Sequence, residues 1–203
     1  MGIIYGMEQA EPGGRGWGSD TRGLDQMDFA TLWTEALPYD EFVAASNLKH
    51  RGLWEGLYRL ARVPDWAIAA PDGGRIKLLA IAEDWCGDAS NTLPVLARLA
   101  DLAPGIELRL IGRDSHPELM SRYLTDDTRS IPIVIALDEN FREIGHWGPR
   151  PVALQRWVRE QLGLGRAKGE LYPEIRKWYA RDRGETTLKE VLEVAGLRKT
   201  TPS

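Results

Sequence analysis

The sequence predicts an α/β protein, with a mixed four-stranded core sheet flanked by helices and helical extensions at both ends. Three observations lead there. Short apolar runs at Lys77–Ala82 and Ile133–Leu137, and the alternation of Ile106, Leu108 and Leu110 over Ile106–Ile111, read as strands. Helical periodicity between the first two makes a strand–helix–strand unit, whose strands run parallel. Asp138, Glu139 and Asn140 then form a tight turn, and Phe141–Trp147 returns as an antiparallel hairpin partner. A parallel unit closed by a hairpin is a mixed sheet.

Each element has its own justification. Residues 1–27 are rich in Gly and polar side chains and are expected to be disordered, with Met27 a candidate natural start. Residues 28–74 form a helical extension. Phe29, Leu32, Trp33 and Ala36 recur at helical spacing, and Pro38 ends that helix or opens the next. Phe42 and Val43 continue a weaker stripe, Leu53, Trp54, Leu57, Tyr58 and Leu60 make a stronger one, and Asp72–Gly74 is a turn. Within the core, residues 75–163, the stripe Leu93, Leu96, Ala97 and Ala100 predicts a helix ended by Pro104 and Gly105. Ser115 and Glu118 have capping-box spacing around Pro117, which predicts a short helix. Pro149 and Pro151 precede a helix running to Gly163. The C-terminal extension, residues 164–203, holds a helix with Trp178 and Tyr179. A last helix is signalled by Thr187 and Glu190 as a capping box and by Gly196 as a stop.

Composition narrows the function. The 203 residues carry a formal net charge of −4, which gives no signal for nucleic acid as a partner. No apolar run approaches the ~20 residues of a membrane-spanning helix. No basic segment leads into an apolar stretch at the N-terminus, so a secretory signal is not expected. With one cysteine no intramolecular disulfide can form, and the expected location is the cytoplasm.

That cysteine, Cys86, follows the first core strand and opens the long helix. Unpaired backbone N–H groups and the positive end of the dipole meet there, so a lowered thiol pKa is expected. The surrounding letters are EDWCGDAS. Trp85, Cys86 and Gly87 resemble the thioredoxin active-site segment, in which Trp precedes the first Cys of a Cys-Gly-x-Cys motif. Pro94 resembles the family's helix proline, Ile131-Pro132 its cis-proline, and the order of elements over residues 75–163 is similar to its core. His50–Trp66 and Trp147–Pro151 resemble segments of a bacterial branch known only as a thioredoxin family.

Two departures qualify what the resemblance implies. Ala89 stands where thioredoxins carry the resolving cysteine, and Ala80 where they keep a buried acid as its proton relay. Dithiol disulfide reduction by this chain alone is therefore not expected, because Cys86 can form a mixed disulfide but cannot clear it.

Topology brings Arg113, Asp114 and His116 to the edge of Cys86. Counting also Trp85, Gly87, Asp88, Ala89, Ile131, Pro132, His146, Trp147 and Arg150, it predicts a groove for an extended peptide or a thiol tripeptide. Simpler roles stand beside these. Asp88 suits ordinary compensation of the helix dipole, Glu83 and Asp84 a solvated strand end, and His116 and His146 plain surface. Arg150 suits an anion or a loop carbonyl equally, and Trp54, Tyr58 and Trp66 suit core packing.

Two functions follow. One is a monothiol redox protein, exchanging with protein or small-molecule disulfides while glutathione or a similar thiol resolves the adduct. The other is a binding module that has kept the groove and lost the chemistry, with the added helices serving partner or self-association. No cofactor or metal is expected. Cys-Gly-Asp-Ala departs from the Cys-Gly-Phe-Ser of cluster-binding monothiol glutaredoxins, and no zinc-ligand spacing is present.

Overall fold

A computed structural model describes residues 27–71 and 74–197. The start expected to be disordered, apart from Met27, and residues Asp72 and Gly73 of the expected turn lie outside the described residues.

The N-terminal extension is helical. Helix α1 (Phe29–Glu35) opens on Asp28, whose carboxylate accepts from the Thr31 N–H at 3.1 Å and hydroxyl at 2.7 Å. It buries Phe29 and Trp33. Strand β1 (Leu37–Pro38) follows, then α2 (Tyr39–Ala45), α3 (Leu48–Leu60) and the single turn α4 (Asp65–Ile68). Trp54, on the inner face of α3, is completely buried.

The core continues with β2 (Ile76–Ala82), α5 (Gly87–Leu102), β3 (Ile106–Gly112), α6 (Pro117–Ser121), β4 (Ile133–Leu137) and β5 (Glu143–Trp147). The sheet order is β1-β3-β2-β4-β5. Strands β2 and β3 are parallel in the register Ile76↔Ile106 to Ala82↔Gly112. Strand β4 runs antiparallel to β2, pairing Ile81 with Ile133, and β5 returns beside it, pairing Val134 with Trp147. Six of the seven β2 residues are buried because helices cover both faces. Alternation along β3 assigns those faces. Leu108 lines a cavity with Ala97 and Ala100 of α5, whereas Arg109 reaches the Trp33 carbonyl of α1 at 3.0 Å.

The sheet thus has the four expected strands and one more at its edge. Strand β1 pairs Leu37 with Leu110 over only two residues, one a proline. That is too short for a periodic signal, and an edge tolerates the proline's missing donor.

Helices α7 (Val152–Gly163), α8 (Lys168–Asp182) and α9 (Glu185–Val194) follow. Leu188, Val191 and Leu192 of α9 join the main core, while Leu154 and Val158 of α7 form a second cluster with Leu171, Ile175 and Tyr179 of α8.

Both expected capping boxes are corrected. His116, not Ser115, caps α6, and it makes no side-chain cap bond. Helix α9 starts at Glu185, so Thr187 lies buried inside it. Glu190 instead accepts from the Trp147 indole N–H at 2.7 Å and the Val152 N–H at 3.0 Å, tying α9 to the end of β5 and the start of α7. The Gly196 stop is present, at φ +71°.

Candidate functional site

Cys86 is the N-cap of α5. Its segment is anchored before it reaches the sulfur. The Asp84 carboxylate accepts from the Asn47 N–H at 2.7 Å, and the Asp84 carbonyl accepts from the Trp54 indole N–H at 2.9 Å. Glu83 accepts from the Asp114 N–H at 2.8 Å. The two acids are therefore fasteners joining the strand end to α3 and to the loop after β3, not a free solvated pair.

The sulfur is 3.4 Å from the Ile131 carbonyl oxygen, to which its S–H donates, and it accepts weakly from the Ala89 N–H at 3.5 Å. The Ile131–Pro132 peptide is cis, and Pro132 is buried. Gly148, at φ +135°, is required beside it, since a Cβ there would run into the Pro132 carbonyl oxygen.

The expected lowering of the Cys86 pKa is reversed. Burial is the largest influence and pushes the thiol up to about 11. The Ala89 N–H works the other way, as the helix start predicts, but the side chain is only 8% exposed and burial wins. The nearby Asp88 carboxylate adds to the rise, and Arg150 partly offsets it.

Asp88 and Arg150 form the buried charge pair of the site. Arg150 Nη2 stands 2.5 Å from Asp88 Oδ2, with side chains 10% and 11% exposed. The Tyr179 hydroxyl donates to Asp88 Oδ1 at 3.0 Å, and Arg150 Nη1 donates to Gln155 Oε1 at 2.9 Å. Of the two roles open to Arg150, the anion is Asp88 itself. Tyr179 belongs to α8, and burial together with Asp88 holds its phenol well above the ordinary range. Sequence reasoning missed Tyr179 because α8 lies beyond the family-like core, and a tyrosine on an amphipathic helix carries no motif.

A cleft of about 830 Å³ opens over Cys86. Of the residues predicted for the groove, Trp85, Gly87, Asp88, Ile131, Arg113 and Arg150 line it together with Cys86. Trp85 is half-exposed, and the Arg113 guanidinium stacks 4.9 Å from its ring centre. Ala89 is fully buried beneath the helix start, and neither it nor Pro132 lines the cleft. His146 is exposed beside Glu143 and against the Tyr123 ring, and Trp147 points to Glu190. His116 bridges the Gly112 carbonyl and Glu35. These three are not brought to the cleft. Side chains on β5 alternate, and neither His146 nor Trp147 lines the cleft. Arg129, Lys168, Tyr172 and Arg176 line it without a sequence signal, three of them from α8.

Among the described residues no cluster of His, Cys, Asp and Glu is arranged to hold a metal ion. Nor is any helix there long and apolar enough to cross a membrane.

A thiol at a helix start, facing a cis-proline loop in a mixed sheet, defines a thioredoxin-like protein. The comparisons agree: residues 36–163 match a thioredoxin family model, Thioredoxin_9, and the chain belongs to that family. No curated protein sequence matches it. Among solved structures it is similar to a protein of unknown function, PA1234, from Pseudomonas aeruginosa. The TM-score is 0.68 and the identity 22%, over 84% of this chain and 98% of that one. A crystal structure described as an HIV epitope-scaffold gives 0.64 and 22%, over 85% and 100%. At these identities the likeness extends to the fold.

Proposed function

We propose that this protein is a thioredoxin-fold binding module, in which the cleft around Cys86 holds a ligand and the thiol is a protonated part of its wall. The burial of Cys86 against the Ile131 carbonyl carries this reading. With the thiol held up to about 11, roughly one molecule in ten thousand is thiolate at pH 7. The carbonyl that accepts the S–H would also face the anion unfavourably. The sequence holds no second cysteine to release an adduct.

Monothiol exchange is the second reading, favoured by the place of Cys86 on the cleft wall. The Cys86 thiolate would attack one sulfur of a disulfide, form a mixed disulfide and expel the other sulfur as thiolate. A small thiol such as glutathione would then attack the mixed disulfide, return the Cys86 thiolate and leave with the bound half.

Thiolate absorbance, taken as the difference between the protein and its Cys86→Ser variant, separates the two. The binding-module reading expects a midpoint near 11 and no adduct with oxidised small thiols near neutral pH. A midpoint at or below about 8.5 with a stable adduct overturns it in favour of exchange.

A further inference from the structure

The walls of the cleft differ in chemistry. From α3 come Leu53, 53% exposed, and the partly buried Leu57; Trp85 continues this apolar surface, and Tyr172 faces it from α8. From α8 and the loops come cations. Five basic side chains line the cleft, namely Arg113, Arg129, Arg150, Lys168 and Arg176, against a single carboxylate, Asp88. This surplus sits on a chain of net charge −4, so the positive field is a local property of the cleft.

The pairing of those cations separates the possible ligands. Arg150 is the deeply buried one, and Asp88 already occupies it. Arg113 and Arg129 share one outside carboxylate, Asp114. Lys168 has no acidic partner among the described residues, and Arg176 donates only to the Tyr172 carbonyl, at 3.4 Å. The available positive charge is thus spread along the rim, on exposed Arg129, Lys168 and Arg176 and half-buried Arg113, with apolar surface between. A small anion binds best where donors converge in a buried pocket. A chain bearing several carboxylates and apolar side chains matches a spread rim and an apolar wall.

From this match we infer that the cleft binds an acidic peptide segment of a partner protein, its apolar side chains against Leu53, Leu57 and Trp85 and its carboxylates against Lys168, Arg176, Arg113 and Arg129. The inference rests on the binding-module reading and names that module's ligand.

Fluorescence anisotropy on the full chain tests it, using a labelled peptide that alternates glutamate with leucine and phenylalanine. Binding should weaken as salt rises, should survive Cys86→Ser, and should fall about tenfold or more in the Lys168→Glu/Arg176→Glu double variant. These residues are exposed, so the variant should unfold at the same temperature as the parent. Equal binding of a lysine-for-glutamate peptide, or unchanged affinity in the double variant, overturns the inference. So does competition by succinate at the affinity of the peptide, which would mark a free-anion site, or exclusion of the peptide by self-association in sedimentation. The Cys86 titration on the same sample reports separately on the underlying reading. A peptide that fails beside an inert thiol rejects the ligand and not the module.

Discussion

The main sheet core and the α7–α8 pair bury apolar surface by the same physics but contribute differently to the site. The core is large and almost wholly apolar, with Leu79, Ile81, Leu93, Leu96 and Ile135 essentially inaccessible. It delivers the thiol, the start of α5 and the loop opposite. The pair has a small cluster of its own, Leu154, Val158, Leu171, Ile175 and Tyr179, and it seats Arg150 and Tyr179 around Asp88. The core decides where Cys86 is and buries it; the pair, by closing over Asp88, contributes to its charge environment. A reactive helix-start thiol and a silent one can therefore share a fold and differ in what is packed beside it.

The largest test of this division is Arg150→Met. It would leave the Asp88 carboxylate buried with the Tyr179 hydroxyl as its side-chain donor. Removing one partner of a buried pair costs about 3–5 kcal/mol. The expected outcome is a loss of that size in urea unfolding, together with a further rise of the Cys86 midpoint as an offsetting cation disappears. An unchanged midpoint with unchanged stability would show that the α7–α8 pair does not govern the site.

The next effect concerns the thiol alone. Its ordinary value is 9.0, and the folded protein holds it at about 11. Below the first value both folded and unfolded chains carry the proton, and the contribution to stability is fully present. As pH rises from 9 towards 11 the unfolded chain gives up its proton while the folded chain keeps it, so stability falls. The loss should be on the order of 2–3 kcal/mol across that window. Tyr39, Tyr123 and Tyr179 are also raised by burial and add their own alkaline loss. They are common to the Cys86→Ser variant, so the difference between the two stability curves isolates the sulfur. Parallel curves from pH 8 to 11 would contradict the burial argument.

How much of this was legible in the sequence follows the same division. Strands β2 and β4 are mostly apolar runs, β3 alternates apolar with charged residues, and all three have clear ends; the position of Cys86 follows from its place after β2. The direction of its pKa does not. The helix start was visible, but the burial that overrides it comes from tertiary packing. Asp88 and Arg150 were each legible as candidates, yet their pairing joins residues 62 positions apart through a loop after β5. The cations of α8 were invisible for a simpler reason. Lys168 and Arg176 look like the ordinary solvated side of an amphipathic helix, and only the docking of α8 against the start of α5 aims them at the cleft. His146 and Trp147 failed in the opposite way: proximity to the correct sheet edge did not make either one part of the cleft lining.

The smallest effect sharpens the comparison most, because it holds the chemistry fixed. Arg159, on α7, grips Asp126 with two hydrogen bonds of 2.8 Å each, a geometry as good as that of Arg150 on Asp88. The difference is solvent, for the Arg159 and Asp126 side chains are 54% and 61% exposed. Water and salt screen such a pair, and holding two long side chains together costs entropy, so exposed pairs contribute about 0–1 kcal/mol. Arg159→Ala should therefore change urea stability by less than about 1 kcal/mol, leave the Cys86 midpoint where it was, and lose even that small effect at high salt. If it costs as much as Arg150→Met, burial is not what distinguishes the two arginines, and the buried Asp88–Arg150 pair loses its claim to a special part in the site.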